Sequence, residues 1–376
     1  MKALLPACFI ALFGIMMPLG STAAQTSESL PDVPSVAKKA IDYLKSQGQN
    51  QENGSYSEFA GPAVTALVTT AMLKHGEGVD DKDVAKSLKY LETFVQPDGG
   101  IYKADSVYKN YETSLAILCF AEANIDGRYD SLIQKAAQYT KGSQWAEGRE
   151  VTESDDRFGG FGYGKHARPD LSNTSYAIDA LLAAGVDPQS VEMQRVLKFV
   201  SRSQNLKSEH NQLPFTSKME KGSEGGFIYT PAGGGETKVE STSVGGGLRS
   251  YGSMTYAGLK SMLYAGVDQD DIRVKAAIDW IRMHYNLKAN PGMGAEGLYY
   301  YYHIFAKALD AIGQETFLDS DGVRHDWRKE LLVELAGRQA EDGSFTNQAS
   351  DRWMEGDPNL VTGYVLLALA YCRDDQ

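Results

Sequence analysis

The residues best suited to chemistry lie in three short runs. Glu296-Gly297-Leu298-Tyr299-Tyr300-Tyr301-Tyr302-His303 sets a carboxylate, four tyrosines and an imidazole side by side. Asp351-Arg352-Trp353-Met354-Glu355-Gly356-Asp357-Pro358-Asn359 joins aromatic and apolar groups to an arginine and several acids. Arg249-Ser250-Tyr251-Gly252-Ser253 is the third. An imidazole can act as general base and a phenol as general acid. His303 and Tyr251 are therefore the candidate catalytic pair, with Glu296 and Asp357 beside them on one rim. Aromatic faces can line an apolar or cationic pocket, and tyrosine hydroxyls can equally hold a sugar chain. Four consecutive tyrosines at helical spacing cannot all face one way, so some face a cavity and others face helix interfaces. Tyr299, Tyr301, Arg352 and Trp353 are the substrate-binding candidates from these runs. The plainer alternative is that Arg352 and the acids form ion pairs and that His303 is a satisfied, half-buried side chain.

The remaining acidic and histidine motifs read as structure. Glu153-Ser154-Asp155-Asp156 precedes a glycine-aromatic turn and belongs on a loop. His325-Asp326-Trp327-Arg328 opens a helix, where Asp326 suits the N-cap. No phosphate loop, dinucleotide fingerprint, nucleophile elbow or HExxH zinc motif occurs. No cofactor and no metal site is expected.

The elements that must position these groups repeat. Six times a helical pattern leads to a glycine-aromatic turn and then to a second, more apolar helical pattern. The turns are Gly54-Ser55-Tyr56, Gly99-Gly100-Ile101-Tyr102, Gly159-Gly160-Phe161, Gly225-Gly226-Phe227, Gly297-Leu298-Tyr299-Tyr300 and Gly343-Ser344-Phe345. Each second segment mixes small and large apolar residues, as in Asn173 to Gly185, and a helix apolar on most faces must be buried. The first segments are more amphipathic and suit an outer layer. The pattern predicts an all-α fold, an α/α toroid of six helical hairpins with inner and outer rings. Two long connections interrupt it. One runs from Leu206 to Tyr251, rich in glycine and expected to cross the barrel mouth, and the other from Phe317 to Trp327.

Gln96-Pro97-Asp98-Gly99-Gly100-Ile101-Tyr102 and Gln339-Ala340-Glu341-Asp342-Gly343-Ser344-Phe345 resemble the QW motif of squalene and hopene cyclases, with Tyr or Phe in place of Trp. The Gly159-Gly160-Phe161 and Gly225-Gly226-Phe227 turns are similar to those of protein prenyltransferase β subunits. The chain thus resembles the terpenoid cyclase and protein prenyltransferase superfamily, from about Val36 to Cys372. The resemblance implies an active cavity at the N-terminal ends of the inner helices. That adds Glu112, Asn173, Ser253 and Asn359 to Tyr251, the Tyr299 to His303 run and the other candidates. It also implies an Asp-rich DxDD acid motif, but the matching stretch is Asp170-Leu171-Ser172-Asn173-Thr174. Ser172 and Asn173 cannot supply a strong acid. Of the zinc ligands of prenyltransferases, His303 lies near the corresponding level with Asp357 as a possible partner, but Cys119 and Cys372 are in the wrong register, and two ligands without the thiolate do not make that site. The expected ligand is an isoprenoid-type or other apolar small molecule in the barrel cavity, bound or acted upon. The alternatives are a polysaccharide-directed enzyme or binder and a non-catalytic protein-interaction ring.

Composition narrows the partners. The 376 residues carry a formal charge of -12, which repels phosphate backbones and disfavours nucleic acid. Met1-Lys2, the apolar run from Ala7 to Met17 and the small residues Thr22-Ala23-Ala24 follow the layout of a secretory signal peptide. Residues 1–24 are accordingly read as a cleavable signal, 25–35 as a short linker and 36–376 as one toroid domain, periplasmic or secreted. No transmembrane segment is expected. Cys119 and Cys372 lie in apolar helical stretches and suit small core positions, with a pairing left open.

Overall fold

A computed structural model describes residues 31–149, 151–240 and 247–373. The expected signal peptide and most of the expected linker lie outside the described residues. The first helix opens within that linker, at Val33, because Asp32 accepts the Ser35 N–H at 2.8 Å as its N-cap.

The inner helices are α2 (Pro62–Lys74), α4 (Lys109–Glu122), α6 (Leu171–Ala183), α8 (Gly252–Tyr264), α10 (Leu298–Ile312) and α12 (Pro358–Leu369). Nearly every residue of α2 and α12 is buried, as an all-round apolar helix requires. Each inner helix packs against the next, and α12 packs against α2, so the ring closes. The outer helices are α1 (Val33–Tyr43), α3 (Lys82–Glu92), α5 (Asp130–Ser143), α7 (Val191–Arg202), α9 (Ile272–His284) and α11 (Trp327–Ala336). Apart from α7, they lean chiefly on the inner helix that precedes them in the chain, and α1, with none before it, leans on α12. The fold is an all-α toroid.

One device recurs in five of the six turns. The turn residue's backbone N–H donates to an inner-helix threonine: Tyr56 to Thr65, Ile101 to Thr113, Phe161 to Thr174, Phe227 to Thr255 and Phe345 to Thr362, at 2.9–3.1 Å. A glutamine ties four of these turns to the next outer helix. Gln49 Nε2 donates to Asp83 O, Gln144 to Glu192 O, Gln204 to Arg273 O and Gln339 to Val36 O. The last of these bonds joins the turn of the sixth repeat to α1. Gly343 makes the same closure sterically: at φ +92 a Cβ would lie 2.3 Å from the Lys39 carbonyl oxygen. Only glycine allows that approach.

The fifth turn departs from the sequence reading. Gly297-Leu298-Tyr299-Tyr300 is not a turn of the repeat but the start of α10, with Gly297 as a left-handed N-cap. Tyr299 N and Tyr300 N donate instead to the Glu355 carboxylate, both at 2.9 Å. The acid satisfies orphan N–H groups and complements the positive end of the helix. Of the long connections, the second folds into an antiparallel pair, β1 (Phe317–Leu318) and β2 (Arg324–His325). Asp326 caps α11 through the Lys329 N–H. Both Cys119 and Cys372 are buried free thiols.

Candidate functional site

Parallel inner helices place all their N-termini at one end of the barrel, and a chamber of about 490 Å³ opens there. Its wall is built from the first turns of those helices and from the aromatic residues flanking them, notably Tyr111, Tyr163, Tyr229, Tyr251, Tyr300 and Tyr364. Tyr229 comes from the long Leu206–Tyr251 connection, which therefore contributes to the wall. Two buried carboxylates, Glu112 and Glu355, also reach the lining, beside the exposed Asp105. Burial pushes the Glu112 and Glu355 carboxyls above the usual range. Glu112 is held by the Lys103 N–H and the Ser106 hydroxyl. Glu355 is held by the α10 N-terminus and Asn347 Nδ2.

The chamber mouth is unusually apolar. Phe59, Val107, Tyr108, Trp353 and Met354 all line it and are all exposed to solvent, Phe59 at 74%. Trp353 and Met354 sit at φ 57 and φ 65, a left-handed backbone that costs non-glycine residues on the order of 1–3 kcal/mol each and concentrates at ligand clamps. Arg352 stacks on the Trp353 ring at 4.3 Å and pairs with Glu296, fixing this lip over the opening.

A layer of aromatic rings forms the chamber floor. Tyr111 meets Tyr176 at 5.4 Å between centroids, Tyr176 meets Tyr300 at 6.1 Å, and Tyr300 meets Tyr364 at 5.9 Å. Such tilted and edge-on contacts are the favoured geometry for aromatic pairs. Below the floor lies a second chamber of about 320 Å³, reached from the C-terminal ends of the inner helices.

The structure sorts the residues singled out in the sequence. Tyr251, Ser253, Glu112 and Trp353 line the upper chamber. His303 does not join them: α10 begins at Leu298, so His303 falls in its second turn and lines the lower chamber. The proposed rim that combined His303 with Tyr251 is thus divided by the tyrosine floor. Burial holds the His303 imidazole down at about 3, with the nearby Lys307 pushing the same way. Asp357 is the N-cap of α12, accepting from Leu360 N at 2.9 Å and from the Ser57 hydroxyl at 2.7 Å. Asn359 bonds Gly48 O and Ser57 Oγ, and Asn173 Nδ2 bonds Asp170 at 2.7 Å. Tyr299 and Tyr301 direct their hydroxyls to the backbone carbonyls of Thr346 and Asn286. Glu296 and Arg352 pair with each other. These positions hold the framework around the chamber.

The acid position is equally clear. Ser172 lines the chamber and lies 3.1 Å from the Tyr300 hydroxyl. Asp170 is 2% exposed and receives both the Asn173 N–H and its side-chain amide, so it caps α6. Burial raises its carboxyl to about 6, although hydrogen bonds from Asn173 and Tyr229 pull the other way. Glu153, Asp155 and Asp156 hold loops together: Glu153 pairs with Lys198, Asp155 with Arg157, and Asp156 accepts the Gly233 N–H at 2.8 Å.

The squalene-hopene cyclase C-terminal domain family matches residues 52–220 of this chain. The type II terpene cyclase MstE from Scytonema shares the fold. A variant in complex with merosterolic acid A, its product, superposes with a TM-score of 0.52 at 11% identity, over 90% of this chain and 96% of that one. A second variant without ligand gives 0.51 at 11% identity, over 90% and 96%. No curated protein matches in sequence. In fold, the chain is therefore similar to terpenoid cyclases, with the squalene-hopene cyclase likeness confined to residues 52–220.

Proposed function

We propose that the protein binds an isoprenoid-type lipid in the upper chamber. The observation that carries this reading is a tyrosine-walled cavity of about 490 Å³ whose exposed collar is itself apolar. Exposed apolar groups gathered around one opening mark a site for an apolar partner, and a concave apolar pocket with few polar groups suits a small ligand. The shared fold with a terpene cyclase solved with its product supports the choice of ligand class. Protonation-initiated cyclisation is not part of the proposal, because a serine stands where the acid would have to be. Export to the periplasm or beyond remains part of the reading on the strength of the N-terminal sequence.

Trp353 gives the test a reporter. Titrating geranylgeraniol into the protein should change tryptophan fluorescence saturably, at one ligand per chain, and Trp353→Phe should remove the signal while calorimetry still detects binding. A flat response to geranylgeraniol and squalene, with a saturable response to maltohexaose, would transfer the chamber to the polysaccharide reading.

A further inference from the structure

The lower chamber has charge chemistry of its own. Asp179 and Lys260 are the only charged residues of helices α6 and α8, and Lys307 shares α10 with His303 and Asp310. Lys260, 0% exposed, donates to Asp179 Oδ1 at 2.6 Å and to the Ser175 carbonyl at 3.2 Å. Lys307 donates to Asp179 Oδ2 at 2.7 Å and lies 5.7 Å from the Tyr264 ring centroid. Two ammonium groups therefore share one carboxylate. The other charged pair lining the chamber, Lys74 with Glu122 at 2.7 Å, is balanced. Counting Lys260, which is buried behind the lining, three cations stand against two anions among the described residues around this chamber. The excess lies on Lys307, which lines the chamber and has hydrogen-bonding capacity left after Asp179.

A second observation points the same way. His303 lines this chamber, is 5% exposed, and its Nδ1 has no hydrogen-bond partner among the described residues. A buried polar group without a partner costs about 1–3 kcal/mol, and a buried charge without its counterion costs more. One ligand group can relieve both: a carboxylate accepting from Lys307 and from a neutral His303 N–H. The rest of the lining sets the other half of the ligand. Leu67, Leu115, Leu118, Leu182 and Leu367 surround the cationic pole with hydrocarbon. A multiply charged, strongly hydrated anion would be desolvated there with a single free ammonium to meet it.

We propose that the lower chamber is a second binding site, for a monocarboxylic acid with an apolar tail, its carboxylate on Lys307 and His303 and its tail against the leucines. The tyrosine floor separates this site from the upper chamber, so the inference does not depend on what the upper chamber holds.

The probes are octanoate, 1-octanol and inorganic phosphate, titrated calorimetrically into the full chain. Octanoate should saturate at one per chain and bind at least about ten-fold more tightly than 1-octanol, the margin expected of hydrogen bonds to a charged group. Lys307→Met leaves Asp179 paired with Lys260 and should weaken octanoate by about ten-fold or more while changing 1-octanol little. Leu118→Trp fills the chamber and should abolish octanoate binding, which keeps the test usable if the Lys307 variant folds poorly. Trp353→Ala, in the upper chamber, should leave octanoate affinity unchanged. Equal affinity for octanoate and 1-octanol, phosphate binding in place of octanoate, or octanoate binding that survives Leu118→Trp would each overturn the proposal.

Discussion

At the residue scale, His303 shows how depth in a helix decides chemistry. The sequence places it after four tyrosines and near a helix start, which makes it look like a rim base. Five residues of α10 precede it, and burial leaves it neutral. Its pKa is depressed from about 6.5 to about 3, so the unfolded chain binds a proton that the folded chain refuses. The stability associated with this group is present above pH 6.5 and is lost as pH falls. Between pH 6.5 and 5 the loss is about 2 kcal/mol. Asp170 acts in the opposite sense over pH 4–6, since its pKa is raised. A difference measurement isolates the histidine: in urea melts, His303→Gln should lose about 2 kcal/mol less than the parent between pH 7 and pH 5. Parallel curves would mean that His303 is solvated after all. The charged residues that matter in the lower chamber were in plain view in the sequence. Asp179, Lys260 and Lys307 each interrupt an apolar helical run, and only their pairing needed three dimensions.

At the element scale, the six inner helices and their order were legible because apolar composition on every face leaves a helix no position but the interior. The glycine-aromatic turns were legible for the same reason, yet the fifth was misleading. Gly297-Leu298-Tyr299-Tyr300 has the right composition, but no threonine on α10 receives its backbone, and Glu355 draws it into the helix instead. The threonine contacts and the glutamine bridges were not read from the sequence, since their partners lie on other hairpins. They make Gln339 the tie between the last turn and the first helix, through Val36 O at 3.0 Å and Gly343 O at 3.0 Å. Gln339→Ala removes both bonds and should lower stability by about 1–3 kcal/mol, seen as a drop in the urea midpoint at unchanged slope. An unchanged midpoint would show that ring closure rests on apolar packing of α1 against α12 alone.

At the scale of the whole molecule, the toroid sets two compartments on one axis. The upper one is walled by tyrosines and rimmed by exposed apolar side chains, and the lower one is apolar with a cationic pole. The sequence reading reached the upper site through Tyr251, Ser253, Glu112, Trp353 and the run that holds Tyr300, and missed Tyr111, Tyr176 and Tyr364 of its floor, because residues on different helices become neighbours only when the ring closes. The central claim is that the upper chamber is a lipid site. Its most direct test is mass spectrometry of small molecules extracted from the protein purified from its own host without detergent. The account predicts an isoprenoid-type lipid at about one per chain, lost when Ser253→Trp fills the upper chamber. Protein that carries no such lipid, or carries it equally in the Ser253 variant, would contradict it.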